Sequence, residues 1–237
     1  MAQKIIAVFG PSGPNALSAT ASSLGEQIAA NEILLTGGTG IPDESVKEQA
    51  IVGAERAIGA GSTGRWIGVP KADSRTASPS HRRGFIVRTE YRDERNYVNA
   101  FLCDSAIALK GGPGTDSEVA FCLVLGRPVV LLGPGWADLE RQLLQPASAK
   151  AAVSAMIDRM FPRSASSDRP VDQAIRASRT ASATLRQVHA DLVASFDNVD
   201  EAVTIATESA CLPDRTKLGH LLGNDGSVQF LRWLSAE

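Results

Sequence analysis

The chain has 237 residues and a formal net charge of -2, with 43% hydrophobic and 21% charged residues, as in an ordinary globular protein. Near-neutral charge excludes a broad basic field for nucleic acid or an anionic membrane surface. No segment approaches the roughly 20 consecutive apolar residues of a membrane span. We therefore expect neither a nucleic-acid partner nor a membrane partner.

Short apolar runs alternate with helical patterns through the first part of the chain. Apolar runs separated by helices indicate a parallel sheet that is covered on both faces. The predicted fold class is therefore α/β, a doubly wound, mostly parallel, Rossmann-like sheet. In chain order, strands are predicted at 5–9, 33–36, 65–69, 85–88, 105–109 and 128–132, and helices at 15–30, 42–58, 91–103 and 115–125.

The periodicity weakens after Gly135. Residues 147–167 are rich in Ala and Ser, which predicts either a flexible stretch or an inserted pair of helices. Further helices are predicted at 172–194 and 199–210. These patterns divide the chain into a single Rossmann-like nucleotide-binding domain at 1–210, a helical insertion within it around 137–194, and a C-terminal extension at 211–237 that packs on the domain.

Cysteine and histidine usage bears on the compartment and on metals. The three cysteines and three histidines are scattered and form no CxxC pair or other metal-binding pattern. An odd number of cysteines, with no secretory signal in MAQKIIAVFG, predicts reduced thiols in the cytoplasm. We expect no metal site and no cofactor.

Three turns at predicted strand ends are rich in glycine: the first at 10–13, the second at 37–40 and the third at 111–114. Glycine allows the backbone to approach a phosphate, and the amides that open the following helix point at it. A tight turn needs glycine in any case, but three such turns favour a nucleotide or phosphate site. Neither GxGxxG nor GxxxxGK[ST] occurs, so an ordinary dinucleotide site or P-loop is not indicated. The candidate phosphate-binding glycines are Gly10, Gly13, Gly37, Gly38, Gly40, Gly111, Gly112 and Gly114.

Two charged residues near the third turn have competing interpretations. Thr115 and Glu118 form T-x-x-E, which is the pattern of a capping box at a helix N-terminus. A carboxylate at that position also suits the floor of a ligand pocket. Arg95 either forms a surface ion pair with Asp93 or Glu94, or faces the same pocket.

The stretch RNYVNAFLCDSAIALKGGPGTDSE (95–118) resembles the signature of the "lonely guy" family, long mislabelled as lysine decarboxylases. That signature has an Arg, an Asp nine residues later, an apolar strand and then PGGxGTxxE. Arg95, Asp104, Thr115 and Glu118 fall at matching spacing. The sequence departs from the family pattern at Lys110, where the pattern has a proline.

The resemblance implies an enzyme that hydrolyses the N-glycosidic bond of a nucleoside 5′-monophosphate to a free base and ribose 5-phosphate, and that is a homodimer. It implies catalytic roles for Arg95 and Glu118. It also implies that Gly111, Gly112, Gly114 and Thr115 bind phosphate, beside which Lys110 would add a cation. A molybdenum-cofactor carrier shares this fold and turn without being a hydrolase. A nucleotide- or cofactor-binding carrier is therefore the alternative, and the sequence does not identify the base.

Overall fold

The computed structural model describes residues 3–79, 83–162, 169–184, 193–210 and 218–235. Its strands are β1 (Ile5–Phe9), β2 (Ile33–Thr36), β3 (Arg65–Gly68), β4 (Gly84–Ile86), β5 (Ser105–Leu109), β6 (Val129–Leu132) and β7 (Val193–Phe196). Its helices are α1 (Ser18–Asn31), α2 (Val46–Gly59), α3 (Arg95–Leu102), α4 (Pro113–Val124), α5 (Ala137–Leu144), α6 (Pro146–Met160), α7 (Pro170–Thr184), α8 (Val199–Ser209) and α9 (Leu218–Ser235).

These strands form one parallel sheet in the order β4-β3-β2-β1-β5-β6-β7. The central strands β1, β2, β5 and β6 are buried along their whole length, which explains their continuous apolar sequence. Alternate side chains of a strand point to opposite faces, so Ile5 and Phe9 join one hydrophobic cluster and Ile6 and Val8 join the other. The predicted doubly wound α/β fold is confirmed.

Helices α1 and α2 pack closely on one face of the sheet because each presents a glycine to the other. A Cβ atom at Gly25 would lie 1.8 Å from the Ala50 carbonyl oxygen, and one at Gly53 would lie 1.9 Å from the Ser22 carbonyl oxygen. Any larger residue at either position would push the two helix backbones apart. This packing fixes α2, whose first turn contributes to the cleft described below.

The helix predicted over 172–194 is wrong at its C-terminal end. Helix α7 is described as far as Thr184, and Val193–Phe196 forms β7, which pairs with β6 in register Val129↔Val193. Hydrogen bonding to an available sheet edge outweighs local helical propensity here. Residues 185–192 lie outside the described ranges.

Helix α6 covers most of the described part of 147–167, which favours helix over a flexible stretch there, whereas a second helix in that range and the insertion itself stay predictions. Three of the predicted helices begin later than expected, and α1 starts at Ser18 rather than at residue 15. Helix α2 starts at Val46, where the Ser45 hydroxyl accepts a hydrogen bond from the Glu48 amide at 3.4 Å, and α3 starts at Arg95. Residues 163–168 of the predicted insertion are outside the described ranges.

Helix α9 packs against β4 at the sheet edge through aromatic rings. The centroid of Phe85 lies 5.9 Å from that of Phe230 and 5.2 Å from that of Trp233, and the Arg65 guanidinium lies 4.7 Å from the Trp233 ring. The division into a 1–210 domain and a C-terminal extension stays a prediction. In the ranges that the structure covers, no helix is both long enough and apolar enough to cross a bilayer.

Candidate functional site

The candidate site lies where the sheet reverses its winding direction. The chain leaves β1 toward β2, β3 and β4 on one side, whereas β5 leads to β6 and β7 on the other. Open α/β sheets bind ligands at such a switch point, outside the carboxyl ends of the strands. A cleft of about 330 Å³ is found there, lined by residues 10–12 after β1 and 112–115 after β5. This volume is in the range of small-molecule sites.

The third glycine turn opens directly into helix α4. Gly112 is the N-cap, no side chain caps the helix, and Pro113 occupies the first helical position. No acceptor among the residues described is found for the amides of Gly114 and Thr115, which belong to the first turn. These amides carry the positive end of the helix dipole and line the cleft, so they suit an anion.

Glu118 is part of the cleft wall and is only 7% exposed. The amide of Asn99 on α3 donates a hydrogen bond of 2.7 Å to its Oε1 atom. Burial raises the pKa of Glu118, opposed by the positive charges of Arg95 and Lys47 and by the Asn99 hydrogen bond. The side chain therefore presents a desolvated carboxylate to any molecule in the cleft.

The capping-box interpretation of Thr115 and Glu118 is wrong. Proline favours the first helical position, so the helix begins at Pro113 and Thr115 lies inside its first turn rather than at the cap. The Thr115 side chain is buried and lines the cleft. Glu118 consequently bonds to α3 instead of to the Thr115 amide.

Arg95 is the first residue of α3 and is 5% exposed, so its interpretation as a surface ion pair is also wrong. One guanidinium nitrogen, Nη1, donates to the Val69 carbonyl at 3.0 Å, and the buried Nε has no partner in the described part of the chain. Burial lowers the pKa of Arg95, and Glu118 opposes that shift. Asp93 pairs instead with Lys71 at 2.5 Å.

Helices α3 and α4 are joined beside the cleft by the Asn96 side chain. Its Nδ2 atom donates to the Gly114 carbonyl at 3.3 Å and to the Ser117 hydroxyl at 3.0 Å. The Asp104 carboxylate, which belongs to the signature, accepts a 2.7 Å hydrogen bond from the Ile5 amide of β1. Asp104 thus has a structural role, since it ties β1 to the segment that carries Arg95.

The second glycine turn, 37–40, is occupied by a side chain of the protein itself. The Glu48 carboxylate accepts hydrogen bonds from the Thr39 amide at 2.5 Å, the Thr39 hydroxyl at 2.8 Å and the Gly40 amide at 3.0 Å. Burial raises the pKa of Glu48, and those hydrogen bonds oppose the shift. Gly38 and Gly40 do not line the cleft, and their phosphate role stays a prediction.

Gly37 belongs to the same turn but does line the cleft. A Cβ atom there would lie 1.9 Å from Nη1 of Arg95, so the absence of a side chain makes room for the guanidinium. In the first turn Gly10 lines the cleft, whereas Gly13, with a φ of 98°, does not. Gly111 lies behind the lining residues, where a Cβ atom would meet the Thr115 hydroxyl at 2.2 Å.

The cations of the cleft differ from the one that the sequence predicted. The Lys110 ammonium is bound to Asp116 at 2.8 Å and lies 4.4 Å from the Trp136 ring, and Lys110 is not a lining residue. Its role as a phosphate ligand stays a prediction. Lys47 and Lys71 line the cleft instead. Only Lys47 had a sequence signal, because it lies in the helix that follows a glycine turn.

The fold and this cleft define a Rossmann-like α/β protein with a cleft of small-molecule size at the switch point of its sheet. The chain belongs to the SLOG cluster4 family, whose model matches residues 3–161, and this family is part of the lonely-guy-like superfamily. The resemblance predicted from residues 95–118 is therefore confirmed. No curated protein matches the sequence.

Solved structures similar to this chain include a molybdenum cofactor carrier protein from Chlamydomonas reinhardtii. It is 25% identical, with a TM-score of 0.55 over 87% of this chain and 98% of the other. The molybdenum cofactor binding protein from the phototrophic bacterium Rippkaea orientalis is 31% identical, with a TM-score of 0.48 over 60% of this chain and 83% of the other. TM1055, a structural genomics target, is 25% identical, with a TM-score of 0.49 and the same coverage.

Potential metal ligands are not grouped in the parts of the chain that the structure covers. No set of three or more His, Cys, Asp or Glu side chains there could hold an ion. Cys103 and Cys122 are buried free thiols with their sulfur atoms 3.8 Å apart, and both lie away from the lining of the cleft. The charged side chains that line the cleft are Lys47, Lys71, Arg95, Asp93 and Glu118.

Proposed function

We propose that this protein hydrolyses the N-glycosidic bond of a nucleoside 5′-monophosphate and releases the free base and ribose 5-phosphate. One observation carries the proposal: Arg95 and Glu118, both buried, converge on a single cleft beside the α4 N-terminus. The family signature supports the same pair of residues. The proposed ligand is thus a phosphorylated small molecule with a leaving group at its sugar.

The phosphate is proposed to bind at the third glycine turn. The backbone amides of Gly112, Gly114 and Thr115 and the Thr115 hydroxyl supply hydrogen-bond donors at the positive end of α4, since Pro113 has no N–H. Gly112 has no atom within 4 Å of where a Cβ would be, so the phosphate approaches the backbone without obstruction from a side chain. Gly10 also lines the cleft, but a Cβ atom there would lie 2.6 Å from the Val46 side chain, so this glycine makes room for the packing of α2.

Glu118 is proposed to act on the reacting sugar. Cleavage of a ribosyl bond develops oxocarbenium character at C1′, and a nearby carboxylate stabilises that charge. The same carboxylate orients a water molecule and takes its proton as the hydroxyl group bonds to C1′. The bond electrons leave with the base, and Arg95 stabilises the negative charge that develops there or holds the ribose phosphate.

The electrostatics of the cleft favour chemistry over simple anion binding. A desolvated carboxylate repels a phosphate, so Glu118 weakens binding in a site that only holds a phosphorylated ligand. The same negative charge becomes favourable when positive charge develops on the sugar in the transition state. Asn99 holds the carboxylate in place for that step.

A carrier protein is the second candidate, and one specific observation favours it. The molybdenum cofactor carrier protein of Chlamydomonas reinhardtii matches 87% of this chain, which includes elements beyond the family region of residues 3–161. Under this candidate the same phosphate-binding turn holds a phosphorylated cofactor and no bond is broken. Glu118 would then contribute only through its hydrogen bond to α3.

The deciding experiment measures binding and turnover on the same protein. The protein is titrated calorimetrically with a panel of nucleoside 5′-monophosphates, and free base is assayed by chromatography after incubation. Release of base from at least one monophosphate, and none from the matching nucleoside, supports the hydrolase. Binding without base release across the panel would contradict the hydrolase and leave the carrier.

Assembly and location are further proposals that are based on the family resemblance. We propose a homodimer in the cytoplasm, as the family signature and the unpaired cysteines indicate. Light scattering after size-exclusion chromatography tests the first statement, since a mass equal to one chain at micromolar concentration would contradict it. Fractionation of the source cells tests the second.

A further inference from the structure

The cleft contains one lysine, Lys47, whose ammonium group has no ion-pair or hydrogen-bond partner among the described residues. Lys47, in the first turn of α2, is half-buried and lines the cleft. Among the residues placed by the structure, none forms an ion pair or a hydrogen bond with its side chain. The other cleft lysine, Lys71, is paired with Asp93 at 2.5 Å, and Lys110 is paired with Asp116 outside the lining.

The charged groups around Lys47 are already engaged with other partners. Glu118 on α4 accepts a hydrogen bond from Asn99, and Glu48, on the same helix as Lys47, accepts its hydrogen bonds from the second glycine turn. Arg95 on α3 and Lys71 after β3 carry the same charge as Lys47. Burial, together with Arg95, lowers the pKa of Lys47, whereas Glu118 and Glu48 raise it.

The excess of positive charge in the cleft favours a bound anion. The lining residues Lys47, Lys71 and Arg95 carry three positive charges, against two negative charges on Asp93 and Glu118. Lys47 and Arg95 are like charges in a partly desolvated cleft, which raises the energy of the protein alone. A phosphate placed between them and the α4 amides would offset that repulsion and supply the missing acceptors.

We infer that Lys47 binds the anionic group of the ligand and sets the preference of this site for phosphorylated over unphosphorylated molecules. Under the proposed function, on which this assignment rests for the identity of the ligand, that group is the 5′-phosphate. An ammonium in the first turn of α2 and the amides in the first turn of α4 would then approach the phosphate from opposite walls. Lys47 thereby takes the part that the sequence alone assigned to Lys110.

The test compares adenosine 5′-monophosphate with adenosine by calorimetric titration of the full chain. Lys47→Met removes the charge and keeps most of the side-chain length. It should weaken binding of the monophosphate by about ten- to a hundredfold, as expected for loss of a charged hydrogen bond. Adenosine binding should not change. Lys150→Met, at an exposed lysine of α6 outside the cleft, removes the same charge and should bind both ligands like the unmodified protein.

The Lys47→Arg variant distinguishes an effect of the positive charge on affinity from a general effect of substitution on the structure. It should bind the monophosphate more tightly than Lys47→Met because it retains the positive charge. Equal affinities of these two variants would overturn the inference, as would a folded Lys47→Met that keeps the monophosphate preference. Equal weakening of monophosphate and adenosine in Lys47→Met would also overturn it, because Lys47 would then act structurally.

Failure of the proposed function has a different signature. If the unmodified protein prefers the monophosphate and releases no base, the hydrolase fails, and a loss of that preference in Lys47→Met still supports the inference. Inorganic pyrophosphate provides a second probe that does not depend on a base or a sugar. An unmodified protein that binds neither the monophosphate nor pyrophosphate would contradict both proposals.

Discussion

Two regions of this molecule are built alike and used differently: each has a glycine turn after a strand and a buried glutamate in the following helix. After β2, Glu48 fills its own turn and accepts hydrogen bonds from Thr39 and Gly40. After β5, Glu118 turns to Asn99 on the neighbouring helix. The turn after β2 is thus satisfied by the protein, whereas the turn after β5 leaves the amides of Gly114 and Thr115 without an acceptor among the described residues.

The difference shows that a glycine turn after a strand does not always leave its amides without an acceptor. What matters is whether an internal carboxylate reaches the turn amides, and that depends on the intervening chain. Residues 41–45 separate the second turn from α2, so Glu48 folds back over it. The third turn runs directly into α4 at Pro113, so Glu118 is already inside the helix and cannot reach the first-turn amides.

The largest expected effect is on base release, and it should distinguish Glu118 from Glu48. Glu118→Gln keeps the shape of the side chain and removes its charge, so base release should fall by about 10²- to 10³-fold, with monophosphate binding retained. Glu48→Gln makes the same change in the satisfied turn and should cause no comparable loss of turnover below its melting temperature. Steady-state assays of both variants test this, and an active Glu118→Gln would place the catalytic carboxylate elsewhere.

A side chain added to the third turn should block binding. At Gly112 a Cβ atom meets no atom within 4 Å, so Gly112→Val fits the fold and projects valine into the phosphate position. Loss of the charged hydrogen bonds there should weaken monophosphate binding by at least about tenfold with little change in melting temperature. Titration calorimetry and thermal unfolding measure the two effects.

The matched change in the second glycine turn, Gly40→Val, should lower stability rather than monophosphate affinity. Gly40 has a φ of 76°, which a valine adopts only with strain, so Gly40→Val should lower the melting temperature. Unchanged monophosphate affinity in Gly112→Val would mean that the phosphate binds at another turn.

Removal of the internal carboxylate should cost stability. Glu48→Ala leaves the Thr39 and Gly40 amides without their acceptor in a partly buried turn, and the free energy of unfolding should fall by roughly 1–3 kcal/mol. Urea unfolding monitored by circular dichroism measures this. A variant as stable as the unmodified protein would show that water satisfies the turn, so that the two turns differ less than their geometry indicates.

The smallest expected effect concerns pH. Because burial raises the pKa of Glu118, the folded protein holds that proton more tightly than the unfolded chain does. The resulting stability is complete below the ordinary glutamate pKa and is lost as the pH rises through the raised folded pKa. Glu118→Gln should therefore lose less stability than the unmodified protein over that window. Melting temperatures measured across the acid range test this, and parallel curves would contradict it.

Much of the site could be predicted because its key residues are close together in sequence. The spacing from Arg95 to Glu118 covers one helix, one strand and one turn, and local patterns reveal such units. Met160 could not be predicted as a cleft residue because tertiary packing of α6 brings it there, and the only sequence signal for Lys47 was its place in the helix after a glycine turn. Strand β7 was missed for a related reason, since the edge of β6 determines its conformation.

The hydrogen bond between the Ile5 amide and the Asp104 carboxylate also has a kinetic consequence. It joins residues 99 apart in sequence, and the cleft lies between the turns that end the two strands it connects. Closure of so long a loop costs entropy before any contact compensates for it, and such contacts slow folding. During synthesis the first turn emerges well before its partner, so the chain cannot bind its ligand until α4 has been made. Ligand present during folding therefore stabilises the finished sheet and does not guide its first steps.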